Sequence, residues 1–268
     1  MSQSSSSSSP GLVYRASSHQ AQLVSRLGVV GYLRFRLHQL RSRKGGRGFV
    51  SKLSAKSARY AVYARGRSSD FDAFNDIFVH GQYDLPLDEP AWFVDCGANT
   101  GFATCLMLSR FPNCRALAIE AEGDNFRMLQ RNLKPFGDRA IAMHAAVWSH
   151  QTQLAISTDV YRDGRDWSRQ VGPVTAGQPT VPAFDVPTLF ARHGVSGRVL
   201  VKMDIEGAEA VVLQNGPLDW LDAVDTLLIE LHDDTVFGSG TASLKQAMAG
   251  RPFEVSTNGE TTVCRRRR

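Results

Sequence analysis

Eight consecutive residues carry the densest chemical signal in the chain: Val94-Asp95-Cys96-Gly97-Ala98-Asn99-Thr100-Gly101. They follow the apolar pair Trp92-Phe93 and precede a helix-like run from Ala103 to Leu108. A buried strand that ends in a glycine-rich turn and opens a helix brings bare backbone against a ligand. The spacing narrows the choice of ligand. A dinucleotide fingerprint needs G-x-G-x-x-G, and Asn99 and Phe102 stand where its second and third glycines belong. The phosphate loop of nucleotide hydrolases ends in Gly-Lys-Ser/Thr, and Gly101 is followed by Phe102-Ala103 instead.

What remains is D-x-G-x-x-x-G, a turn suited to the amino-acid part of S-adenosylmethionine, which is cationic at sulfur and has no phosphate to neutralise. Three further strand ends bear on this reading. Leu117-Ala118-Ile119-Glu120 ends in a carboxylate 23 residues after Gly97, where an acid can accept both ribose hydroxyls of an adenosine; the alternative is a solvated strand-end acid. Glu122 and Asn125 open the next helix, Asn125 to Leu133, either facing the adenosine edge or capping the helix. Val199 to Met203 is apolar enough for a central parallel strand buried on both faces. Lys202 and Asp204 share one side of it, and Glu206 and Gly207 break it. Glu209 then starts a helix, where the dipole favours an acid. Thr226 to His232 is a fourth strand ending in Glu230 and His232, which point the same way at period two and suit acid–base work.

Together these residues resemble the FkbM family of S-adenosylmethionine-dependent methyltransferases. The resemblance runs from about Tyr60 to Asp234 and rests on Arg65-Gly-Arg-Ser-Ser-Asp70, Phe78 to Tyr83, the glycine turn, Ala118-Ile-Glu-Ala-Glu122, Asn132-Leu133, Lys202-Met-Asp-Ile-Glu-Gly-Ala-Glu209 and Ile229-Glu-Leu-His232. The Lys202–Glu209 stretch is its specific part. Ala121 departs from it, since relatives usually carry proline there, and residues 159–178 do not align. The resemblance implies an α/β fold, a doubly wound, mostly parallel seven-stranded sheet of Rossmann-like class I type. It implies methyl transfer to a hydroxyl of a sugar, polyketide or similar metabolite. Asp95, Gly97, Ala98, Asn99 and Gly101 are then expected to hold the methionine end of the cofactor, and Glu120, with Glu122 and Asn125, the adenosine. Asp204 and Glu206 are expected near the sulfonium, and Glu230 and His232 are candidates for base and acceptor positioning. A divalent cation on Asp204, Glu206, Glu230 and His232 is a less favoured alternative. Arg67, Asp70 and Tyr83 are expected to close the pocket or simply to pack, and Ala146-Val147-Trp148 to lie against the adenine or in the core. A non-catalytic module with the same fold is the competing reading, and a Rossmann-type oxidoreductase a distant third.

Composition agrees. A chain of 268 residues with 43% hydrophobic content can bury a core. Cys96, Cys105, Cys114 and Cys264 have no metal-ligand spacing and are expected as free thiols in a reducing compartment. No secretory signal or membrane-spanning run is expected, and the cytoplasm is the expected location.

Charge is unevenly spread. Residues 1–69 hold 13 Lys or Arg and no acid, whereas residues 70–264 hold 14 basic and 26 acidic residues. The expected organisation is a disordered Ser-rich tail (1–18), a basic amphipathic helix and linker (19–48), the catalytic domain (49–264) and a basic tail (265–268). For the helix, three readings compete: a solvated helix packed on the domain with its arginines toward water, a helix on an anionic membrane, or an organelle transit segment. Nucleic-acid binding has only charge in its favour.

Overall fold

The structure is a computed structural model and describes residues 11–44, 49–156, 171–172, 174, 178–233 and 235–267. The chain opens with α1 (Gly11–Lys44), which is broken at Gly28, where φ is 72° and ψ 166°. The hairpin of β1 (Val50–Leu53) and β2 (Val62–Arg65) follows. Then come α2 (Asp70–Phe74) and a π-helical turn at Asn75–His80. The glycine turn lies between β3 (Trp92–Cys96) and α3 (Phe102–Arg110). Next are β4 (Arg115–Glu120), α4 (Gly123–Leu133) and β5 (Ala140–His144). Four short strands, β6 (Ala146–Val147), β7 (Thr152–Ile156), β8 (Val171–Gly172) and β9 (Thr180–Phe184), form a separate sheet. After α5 (Val186–His193) and β10 (Val199–Met203) come α6 (Glu209–Asn215) and β11 (Val224–Glu230). The chain ends with α7 (Gly240–Met248), β12 (Phe253–Asn258) and β13 (Thr261–Arg266).

The main sheet has seven strands in the order β12-β13-β11-β10-β3-β4-β5. β10, β11, β3, β4 and β5 pair in parallel, and β13 runs antiparallel to both neighbours. This is the expected doubly wound α/β sheet. Its strands alternate between two cores. Phe93 and Leu200 join one hydrophobic cluster with α3, while Val94, Val199 and Val201 join another with α5, α6 and α7. Because the period is two, Asp95 and Lys202 share the first face and sit opposite each other in register. Strand order reverses between β3 and β10, so a crevice opens beyond their C-terminal ends, the usual ligand position in such sheets.

Three boundaries differ from expectation. The run 140–147, whose end was expected against the adenine or in the core, divides into β5 and β6, because Ala145 turns the chain and β6 pairs with β9 in the second sheet. α1 begins at Gly11, inside the expected disordered tail; residues 1–10 lie outside the described residues. Arg265 and Arg266 are not a free tail, since both belong to β13 and Arg266 donates to the carbonyls of Leu221 and Val224. Most of the unaligned span 159–178 lies outside the described residues. No helix of the described residues is long and apolar enough to cross a membrane.

α1 packs through Leu23, Leu27 and Phe35, and Phe35 stacks on Phe74 with ring centroids 5.8 Å apart. Arg34, Arg36 and Arg41 are exposed, and apolar residues share that outward side. Val30, Leu33 and Leu37 are exposed. The break at Gly28 rotates the second half of the helix relative to a continuous α-helical wheel, so the inward positions change there.

Candidate active site

A cavity of about 510 Å³ opens at the C-terminal ends of β3, β4, β10 and β11. Gly97, Ala98, Asn99, Glu120, Glu122, Asn125, Asp204, Glu206, Glu230 and His232 all line it, although up to 135 positions separate them in sequence. Ten of the twelve expected residues therefore meet in one place. Asp95 and Gly101 do not line it.

The turn is held from below. Gly97 has φ +79°, and an added Cβ would lie 1.8 Å from the carbonyl oxygen of Asp204. Only glycine permits that approach of β3 to the loop after β10. Asn99 is also left-handed, at φ 50°, a conformation asparagine tolerates better than most residues. Its N–H donates to Glu120 Oε2 at 2.8 Å, and its own buried Oδ1 has no hydrogen-bond partner among the described residues. Glu120 accepts a second bond from Glu122 N at 2.8 Å, and burial raises its pKa above the usual carboxylate value. The acid expected to hold a ribose thus stands beneath the turn, fixed by backbone donors.

Glu122 and Asn125 have structural partners as well as cavity positions. Glu122 is the N-cap of α4, accepting from Asn125 N at 2.7 Å. Asn125 Oδ1 accepts from Arg65, which Asp70 grips through two further bonds. Asp70 is buried and lies off the cavity lining, so it locks the cover in place instead of touching a ligand. Arg67 likewise lies off the lining, whereas Tyr83 is part of it, and burial drives the Tyr83 hydroxyl pKa far upward. Ala146 and Val147 line the cavity; Trp148 packs edge-on against Phe237 in the core.

Two residues of the turn lie behind the cavity lining. Asp95 is fully buried, accepts from Thr104 Oγ1 at 2.6 Å and lies 3.3 Å from Lys202 Nζ. It braces the loop from behind. Gly101, at φ +83°, starts α3, and an added Cβ would meet Leu129 Cδ1 at 2.6 Å. Its small size serves the packing of α3 on α4. Lys202, assigned no role from sequence, joins Asp95, Asp204 at 3.6 Å and the Gly97 carbonyl at 2.7 Å. Burial disfavours its charge, but the two carboxylates outweigh burial and hold it protonated.

The other end of the cavity is a carboxylate–imidazole cluster. Glu209, fully buried, accepts from the backbone N–H of Ile205 at 2.7 Å and of Gly207 at 2.9 Å. It also meets His232 Nδ1 at 3.3 Å. This fixes the ring so that Nε2 faces Glu206 Oε2, 3.7 Å away. Glu206 sits at φ 54°, a strained conformation for a residue with a side chain. Burial and the charge of Asp204 push its pKa up to about 8. Glu230 is pushed up to about 7, first by Asp204 and then by burial. For His232, burial lowers the pKa, but Glu209, Asp204 and Glu206 overcome it and raise it to about 9. Asp204, Glu230 and His232 also offer ligand atoms that all lie within 4.8 Å of one another, a spacing that can hold a cation. Glu260, in the turn before β13, completes this wall. Sequence reasoning missed it, because a lone acid in a hairpin turn carries no local signal. The four cysteines are free and buried, as expected.

A doubly wound sheet, a glycine turn at its switch point and an acid-lined crevice define a class I methyltransferase-type domain. Residues 95–251, more than half of the chain, match the Methyltransferase FkbM domain, and the protein belongs to that family. It is similar to "Methyltransferase 1" of Beauveria bassiana (strain ARSEF 2860), with 26% identity over 201 residues, covering 68% of this chain and 80% of the relative. Among solved structures, an O-methyltransferase family protein from Burkholderia thailandensis matches with 12% identity and a TM-score of 0.39, over 73% of this chain and 57% of that one. The pyocyanin biosynthetic protein PhzM matches with 16% identity and a TM-score of 0.37, over 74% and 56%. The chain thus spans little more than half the length of these two.

Proposed function

We propose that this methyltransferase uses S-adenosylmethionine to methylate a hydroxyl oxygen of a small polar metabolite, of sugar or polyketide type. The observation that carries the reading is the position of Glu120. It lies buried under the Gly97–Asn99 turn, with both oxygens on backbone donors, at one end of a cavity whose other end bears Glu230 and His232. The residues fit the cofactor. Asn99 Oδ1 is an orphaned buried acceptor in the lining, of the kind an ammonium group would satisfy, and Glu120 suits a ribose diol. S-adenosylmethionine supplies an activated methyl group, so the chain's own contribution is to orient the acceptor and take one proton.

Glu230 is the residue for that proton. A base works best with a pKa near the working pH, and Glu230 at about 7 is the group of the cluster nearest neutrality. His232, at about 9, is cationic at neutral pH and positions Glu206 and the acceptor oxygen. This revises the sequence expectation, which gave the two residues the base and positioning roles without dividing them. Glu209 sets the ring orientation that makes the division possible.

The spacing of Asp204, Glu230 and His232 supports a second reading, in which a divalent cation lowers the acceptor's pKa. Titration calorimetry with S-adenosylmethionine and NAD, then turnover with and without a chelator, separates the cases. Binding of the sulfonium cofactor alone, with chelator-resistant turnover, is expected. Chelator-sensitive turnover restored by magnesium would move the proton-lowering role to a metal, and a folded protein that binds neither ligand would overturn the enzymatic reading.

A further inference from the structure

We propose that the second half of α1 is a membrane-surface element that lays its outward face on an anionic lipid bilayer. After the break at Gly28, Val29, Val30, Leu33, Leu37 and Leu40 are 63, 63, 59, 45 and 56% exposed. At about 100° per residue these five fall in one stripe. Phe35, on the opposite side, is buried against Phe71 and Phe74, so the stripe faces away from the protein. It is therefore fixed in direction. The first half of the helix is anchored too: Gln22 donates to the Val79 carbonyl, and Arg26 pairs with Asp84 at 2.6 Å.

Charge identifies the occupant. On the same wheel, Arg34 and Arg41 border the stripe on one side and Arg36 on the other, and all three are exposed. An apolar strip flanked by arginines suits the boundary between acyl chains and anionic headgroups, with the guanidinium groups reaching outward to phosphate. A second copy of the chain fits poorly. A symmetric contact through this face would bring two sets of arginines together, and residues 1–69 hold no acid to neutralise them. Nucleic acid would leave the apolar centre of the stripe unused. Residues 70–264 are net acidic, so attraction to an anionic surface is concentrated in this arm. The helix is too polar to cross a bilayer, which leaves it lying in the interface.

The test is co-sedimentation of the full chain with vesicles of phosphatidylcholine, with and without phosphatidylserine, at low and high salt. The prediction is sedimentation that depends on phosphatidylserine and weakens with salt. Leu33→Glu combined with Leu37→Glu should cut partitioning by roughly tenfold or more. Replacing Arg34, Arg36 and Arg41 with glutamine should remove the lipid-charge dependence. Both variants change exposed positions outside the cavity, so melting temperature and S-adenosylhomocysteine binding should match the parent. Failure of the folded parent to sediment with anionic vesicles would overturn the proposal. So would sedimentation indifferent to both sets of substitutions. A concentration-dependent dimer that the leucine substitutions abolish would assign the face to self-association instead. None of these readouts depends on methyl transfer, so the surface and the catalytic reading can fail separately.

Discussion

Glu209→Gln removes one charge at constant size from the centre of the site. The native carboxylate accepts two backbone N–H groups, at 2.7 and 2.9 Å, and meets His232 Nδ1 at 3.3 Å. A glutamine carbonyl can replace one oxygen, but its amide would turn a second donor toward an existing donor. Hydrogen bonds to a charged group are worth about 1.5–3 kcal/mol each, and a buried donor left unpaired costs a similar amount. A loss of about 2–4 kcal/mol of stability is expected, or roughly 5–15 °C in melting temperature for a chain of this size. The substitution also removes the strongest support for the His232 charge, leaving burial to pull the pKa back down from about 9. The sign follows from linkage. A histidine whose folded pKa lies above its ordinary 6.5 stabilises the fold fully below 6.5 and loses that contribution as pH rises through about 9. The stability difference between parent and variant should therefore be largest at mildly acidic pH and shrink toward pH 9. Urea unfolding across that range measures it, and NMR titration of the His232 ring gives the shift directly. A variant as stable as the parent at every pH, with an unchanged His232 titration, would refute the assignment of Glu209 as the group that orients and charges the imidazole.

The remaining predictions concern the cofactor end and the base. Gly97→Ala should abolish S-adenosylhomocysteine binding in calorimetry, because the new Cβ would overlap the Asp204 carbonyl at 1.8 Å and sit at φ +79°; binding within a few-fold of the parent would disprove the tight turn. Glu120→Gln should weaken cofactor binding by roughly 10- to 100-fold, about 1.5–3 kcal/mol for a charged hydrogen bond, while unchanged affinity would remove Glu120 from the ribose. The pH–rate profile should rise through about 7 as Glu230 ionises and fall near 9 as His232 loses its proton. Glu230→Gln should lower kcat and erase the rising limb without loss of cofactor affinity; a limb that survives would exclude Glu230 as the base. Lys202→Met should destabilise the fold by about 3–5 kcal/mol, since it leaves buried Asp95 without its cation, and denaturant unfolding reads this out.

Much of the catalytic half is legible in the sequence alone. Glycine at 97 and acids at the ends of four apolar strands are local signals, because a buried strand has only its ends at which to present polar groups, and parallel strands present their C-terminal ends together. The doubly wound sheet follows from the same alternation of apolar strands and helices. The turn of residues 97–101 was read correctly as a special backbone, but only packing distinguishes its glycines. Gly97 makes way for the Asp204 carbonyl just after β10, and Gly101 for Leu129 on α4.

Tertiary structure decided everything that depends on contacts distant in the chain. Asp95 lies off the cavity lining because register places it opposite Lys202, inside the sheet. Glu209 proved to be the acid that fixes His232, although its sequence position announced only a helix start. Glu260 reached the cavity from a hairpin no motif announces. The outward apolar stripe of α1 depended on the break at Gly28, which a continuous helical wheel cannot anticipate. Sequence determines which residues must be buried and which strand ends must be polar, because hydrophobicity and periodicity act locally. Which polar group faces a ligand and which braces its neighbour is set by distances across the fold, and electrostatic and packing energies depend on those distances.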